Sequence, residues 1–115
     1  MDNKTLIDAA LVLREDIKRT DSLHTGGVAA ALEAEDGTIH TGVCIDAASS
    51  IGFCAEHGAI ADLAKTKSMR IRKIVAVDKN GNIMPPCGRC RELIYQIDYA
   101  NIDTRVIIGQ DKEIT

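Results

Sequence analysis

One hundred and fifteen residues, 45% of them hydrophobic, suffice for one compact domain and not for two. Aromatics make up only 3%, with no Trp, so the core must come from Ile, Val, Leu and Ala; a core that small gains from burying more surface between subunits, and an oligomer is expected. A net charge of −3 without a Lys/Arg stripe disfavours a nucleic-acid partner, and the charged start, interrupted by Asp8 and Arg14, reads as neither a signal peptide nor a membrane span, so a cytosolic location is expected.

Apolar residues at Leu6, Ile7, Ala10, Leu11, Leu13 and Ile17 follow helical spacing and predict an amphipathic helix from Thr5 to about Arg19. Residues 20–27 carry turn chemistry and end on two glycines, so they read as a loop into the first strand. The stretches 28–35 and 38–45 flank Asp36-Gly37, a dipeptide suited to a tight turn, and are expected to pair as an antiparallel hairpin. A loop of small residues from Asp46 to Phe53 follows. Next comes a predicted helix from Cys54 to about Lys67, with Ala59, Ile60, Leu63 and Ala64 on one face. Ile71 to Val77 is a continuous apolar run of the kind found in buried parallel strands, closed by a turn at residues 78–81. Pro85 and Pro86 stop any helix before them, and Cys87 to about Tyr99 regains helical spacing at Leu93, Ile94 and Ile97. Thr104 to Ile108 reads as a last β-branched strand. The order is α-β-β-α-β-α-β, an α/β sandwich on a mixed sheet, with no internal repeat or linker.

Two stretches carry chemistry. Cys54-Ala-Glu-His57 places a carboxylate two residues after a thiol that starts a helix, where the dipole and unpaired N–H groups favour an anion. Pro85-Pro-Cys-Gly-Arg-Cys90 places Cys87 and Cys90 one turn apart, able to face one ion. Thiolates at this spacing in a reducing compartment favour a soft metal over disulfides. Three thiolates on Zn²⁺ leave a fourth position for water, which ionises near neutral pH in such a place, with Glu56 as the nearby proton carrier. The plainer readings are a closed structural zinc site, ordinary buried thiols, and for Glu56 a solvated carboxylate in a first helical turn. A structural site normally takes four ligands, and the remaining cysteine, Cys44, lies at the end of a hairpin strand.

These motifs resemble the cytidine deaminase family in the all-cysteine form of its zinc site. The resemblance runs from Val28-Ala-Ala-Ala-Leu32 through Thr41-Gly-Val43 and Cys54-Ala-Glu56 to Pro86-Cys-Gly-Arg-Cys-Arg91. The TGV strand and the PCGRCR motif are shared with blasticidin S deaminases. It implies a three-layer α/β/α deaminase fold over residues 1–115 as a single domain, and it leads one to expect a leucine- and proline-bearing tail following the last strand, beyond Thr115. It implies one Zn²⁺ per chain on Cys54, Cys87 and Cys90, Glu56 as general acid/base, and hydrolysis of a cytosine nucleoside to its uracil counterpart and ammonia. The same resemblance gives the backbone N–H of Ala55 and the carbonyl of Pro85 to the substrate ring, and puts Cys44 and Asp46 at the substrate. Family members carry Asn-x-Glu for the ribose where this chain has Cys44-Ile-Asp46, so Asp46, Ser49 and Ser50 are candidates for a different appendage. Cysteine-type relatives often have Arg after the Glu to offset three thiolates; here His57, Arg89 or Arg91 is expected to serve. A homotetramer (or homodimer) is the implied assembly. A zinc-holding scaffold without turnover is the reading from another class.

Overall fold

The computed structural model describes residues 2–47, 52–86, 88–109 and 112–114. Chain order is α1 (Asn3–Leu11), β1 (Ile17–Thr20), β2 (Leu23–Ala34), β3 (Ile39–Ala47), α2 (Ala55–Leu63), β4 (Ile71–Asp78), β5 (Ile83–Met84), α3 (Gly88–Ile97), a 3₁₀ turn (Tyr99–Asp103), β6 (Arg105–Gly109) and β7 (Lys112–Ile114).

The strands form one mixed sheet. β3 lies along one edge of β2, while β1 and β4 share the other edge. All three pair antiparallel to β2. β6 joins β4 in parallel, with Lys73 opposite Arg105, and β7 returns antiparallel on β6. The expected hairpin is present, with Glu33 opposite Ile39 and Gly37 at φ +87° in the turn, a conformation glycine adopts without steric cost.

Alternation along the central strands divides the core. Ala30, Leu32, Ala34, Ile71, Ile74 and Ala76 pack against Ala55, Ala59, Ile60 and Leu63 of α2 and Ile94 of α3. Ala29, Ala31, Val75, Val77 and Ile107 face the other way, onto Leu6, Ile7 and Ala10 of α1. The result is the three-layer α/β/α sandwich expected from the sequence. Small residues on β2 let α2 approach closely. At Gly42, on the neighbouring β3, an added Cβ would lie 2.3 Å from the backbone nitrogen of Ala59, so strand and helix touch main chain to main chain.

Four expectations are corrected. The first helix stops at Leu11, not Arg19. Val12 is 81% exposed, and the Glu15 N–H donates to the Gly26 carbonyl (2.9 Å), drawing residues 17–20 onto β2 as a strand; tertiary pairing overrides helical spacing there. The presumed loop at 20–27 is a turn only at its start, because β2 begins at Leu23. α2 ends at Leu63 and leaves Ala64 exposed; the Thr66 N–H and hydroxyl both donate to the Leu63 carbonyl and close the helix. Strands β1, β5 and β7 go beyond the predicted set, while β4 and β6 pair in parallel as expected. Among the described residues no helix is long and apolar enough to cross a membrane.

Candidate metal centre

The site forms where the starts of α2 and α3 meet the ends of β3 and β4. Cys54 is the N-cap of α2, in extended conformation (φ −73°, ψ 156°), so its thiol sits at the head of the first turn. Its carbonyl accepts from the His57 N–H (3.1 Å). Phe53, just before it, exchanges two 2.9 Å backbone hydrogen bonds with Ile45, which ties the entry to α2 onto β3. Cys90, fully buried, comes from the first turn of α3.

The Sγ atoms of Cys54 and Cys90 and a ring nitrogen of His57 all lie within 4.8 Å of one another. Donors around one ion at Zn–S distances of about 2.3 Å and Zn–N distances of about 2.0–2.1 Å stand about 3.3–3.8 Å from one another, so this spacing is compatible with a shared ion. Soft sulfur with imidazole is a donor set that suits Zn²⁺, so the residues present fit such an ion. Cys87 falls outside the described residues, as do Ser49 and Ser50.

Glu56 projects from the same first turn and is 5% exposed. Burial pushes its carboxyl above the usual carboxylate value, opposed by hydrogen bonds from its own backbone N–H and the Cys90 thiol. For His57, burial holds the ring below its ordinary value, and the nearby positive Arg89 acts in the same direction. The imidazole is therefore neutral in the range where most proteins work. Its Nε2 is buried and has no hydrogen-bond partner among the described residues, a state that a metal ion or thiolate next to it would relieve.

A cavity of about 920 Å³ opens over this turn. Cys44, Asp46, Cys54, Ala55, Glu56, Pro85 and Arg89 all line it, so most of the residues singled out in the sequence meet at one place. Cys44 is also a packing residue: its sulfur accepts from the Val28 N–H at 3.2 Å, and its thiol points to Asp46 Oδ2 at 3.8 Å. Arg91 is not brought in. It lies one residue past Cys90, is exposed, and lines a separate groove of about 500 Å³ beside Tyr95 and Ile102.

The cavity also takes residues that sequence reasoning missed: Asp16, Phe53, Asp78, Lys79, Asn80 and Met84. Asp16 was hidden by the overlong first helix. The turn at 78–81 was recognised, but which end of the sheet it occupies depends on strand order, which no local pattern reports.

The family described as the cytidine and deoxycytidylate deaminase zinc-binding region matches residues 2–108. The cytidine deaminase of Mycobacterium tuberculosis is 33% identical over 70 residues, 60% of this chain and 53% of that protein, so the match spans about half the relative's length. The cytidine deaminase of Halalkalibacterium halodurans is 32% identical over 110 residues, 95% of this chain and 80% of the relative. Among solved structures, cytidine deaminase from Mycobacterium leprae superposes with a TM-score of 0.81 at 29% identity, covering 100% of this chain and 93% of that one. The cytidine deaminase from Burkholderia pseudomallei gives 0.74 at 26% identity, covering 99% and 91%.

Proposed function

Because the chain belongs to the cytidine and deoxycytidylate deaminase family, we propose that it hydrolyses the exocyclic amine of a free cytosine nucleoside, cytidine or deoxycytidine, to the uracil nucleoside and ammonia. The observation that carries this is the buried Glu56 within the turn that also presents Cys54 and His57 to Cys90, at the floor of an open cavity.

Cys54, Cys87 and Cys90 would hold the Zn²⁺. When bound, the ion supplies a Lewis acid and lowers the pKa of water at its open position to about 7. The chain's own groups do the rest. Glu56 takes the proton of the attacking water and delivers it to the ring nitrogen as the C–O bond forms at the amine-bearing carbon. It then takes the second proton from the hydroxyl now on that carbon and passes it to the amine, so that the C–N bond breaks, ammonia leaves and the hydroxyl becomes the carbonyl of the uracil ring. Its burial keeps this proton traffic away from bulk water. The Ala55 N–H, at the head of α2, is positioned to donate to the ring carbonyl oxygen, and the Pro85 carbonyl to accept from the substrate amine. Arg89, a cation at the cavity edge, offsets the thiolate charge, and the neutral His57 supports a ligand sulfur by donating a ring N–H to it. Cys44 and Asp46 face the substituent on the ring.

Asp46 has one methylene less than the Glu expected for ribose and Cys44 is a weak hydrogen-bonding group, which favours a second reading: a larger cytosine-bearing analogue of the blasticidin S type. The same proposal takes residues 1–115 as one deaminase domain working in the cytoplasm in pyrimidine salvage, as a homotetramer or homodimer.

The test is ammonia release by zinc-loaded protein offered cytidine, deoxycytidine, cytosine and blasticidin S, alongside Glu56→Ala. Turnover that falls about 10²- to 10⁴-fold in the variant, with zinc content unchanged, is the expected result. Zinc held with no turnover of any of the four, and no effect of Glu56→Ala, would instead make the chain a zinc scaffold.

A further inference from the structure

Phe53, the only phenylalanine in the chain, stands on the cavity wall with 38% of its surface exposed. An exposed aromatic ring is ordinary on an outer surface, but this one lines the same cavity as the buried Glu56 and precedes Cys54 directly. It is also held firmly. Its N–H donates to the Ile45 carbonyl and its carbonyl accepts from the Ile45 N–H, both at 2.9 Å, while its ring lies 6.5 Å from that of His57 at 38°. Met84, 39% exposed, is the other large apolar side chain left open in the cavity, and it precedes Pro85. Each of the two segments that bear the cysteines thus brings one exposed apolar surface to the cavity. Phe53 is the one aromatic ring among the described residues of the lining; the rest is aliphatic, small, polar or charged, with Asp16, Asp46, Asp78 and Lys79 able to hold polar appendages.

We infer that Phe53 is the surface on which the heteroaromatic ring of the substrate lies, and that it sets the preference for a planar base over the remainder of the molecule. The inference rests on the deaminase reading for the nature of that ring. A π-face in a cavity binds planar heterocycles with little regard to their substituents, so orientation is left to the polar groups around it. Phe53 acts in this picture as a positioning residue: it contributes to ring affinity and not to the transfer of protons.

The chain has no tryptophan, so Phe53→Trp adds a single fluorophore at the site. Cytidine is expected to quench its emission saturably, and D-ribose, which lacks the ring, to leave it unchanged. In steady state Phe53→Trp should keep KM within about threefold of wild type, while Phe53→Leu, apolar but without a π-face, should raise KM about tenfold with kcat within about threefold. An indifferent tryptophan at saturating cytidine, or an unchanged KM in Phe53→Leu, overturns the inference. Saturable quenching without ammonia release would uphold it while removing the deaminase reading. Ammonia release without quenching would do the reverse.

Discussion

Asp78 shows how a single side chain holds the rim of the cavity. Its Oδ1 accepts from the backbone N–H groups of Asn80 and Asn82, both at 2.9 Å, closing the turn that presents Lys79 and Asn80 to the site. These bonds, that from Asn82 foremost, hold its carboxyl below the ordinary aspartate value of 3.8, against a smaller opposing effect of burial. A carboxyl depressed in the folded state binds its proton less readily there than in the unfolded chain. Its contribution is therefore complete above about pH 3.8 and is lost as the pH falls through the lower folded value. In Asp78→Asn this titration is gone, so the stability difference between the two proteins should narrow or invert on acidification below about pH 4, as measured by urea unfolding at stepped pH. A gap that stays constant through this window would show that the turn bonds do not depend on the charge. Glu56 lies at the opposite extreme, a buried carboxyl pushed up; the same group type takes two protonation regimes because one accepts several N–H bonds at the surface and the other is taken out of water.

At the scale of elements, the contact between β3 and α2 decides where the site sits. Gly42 of the Thr-Gly-Val strand lies beneath Ala55, Gly58 and Ala59, with the Gly58 carbonyl carbon 2.5 Å and the Ala55 oxygen 2.7 Å from any added Cβ. All of these are backbone atoms of a helix, which cannot turn aside as a flexible side chain would. Gly42→Ala should therefore push α2 off the sheet, destabilise the protein by about 2–4 kcal/mol in urea unfolding, and weaken metal retention because Cys54 moves with the helix. A cost below about 0.5 kcal/mol would mean that the two elements have slack between them. The sequence shows the TGV pattern but not this reason for it: a glycine in a strand signals a bulge, a bend or a close approach equally well, and only the packed helix selects among them. The entry to α2 was legible for the opposite reason, since capping is a local matter and Cys54 at the N-cap needs no distant partner.

On the scale of the whole molecule, the metal centre joins the beginnings of two helices that make few contacts with each other and sit side by side only because both pack on one face of the sheet. An ion bound there links residues 36 positions apart in the chain, from Cys54 to Cys90, and binds only the folded state. Its removal should lower the melting temperature by several degrees in calorimetry with a chelator present, and re-addition of Zn²⁺ should restore it; an unchanged melting temperature would show that the fold is indifferent to the site. Periodicity and punctuation in the sequence were sufficient for the central hairpin, the strand at 71–77, the starts of both site helices and the identity of the chemical motif, because each depends on residues within a turn or two of one another. They failed at 12–25, where helical spacing loses to pairing with a strand that the chain has not yet made, and at the short strands β5 and β7, which are strands only because an edge is available beside them. What the sequence determined by itself is therefore the reagents: thiols, a carboxylate and an imidazole at fixed spacing. Strand order and helix packing decided their company, bringing Asp16, Phe53 and Asp78 to the same cavity and sending Arg91 to another, because a side chain's neighbours across a sheet follow from closure of the whole fold and not from its place along the chain.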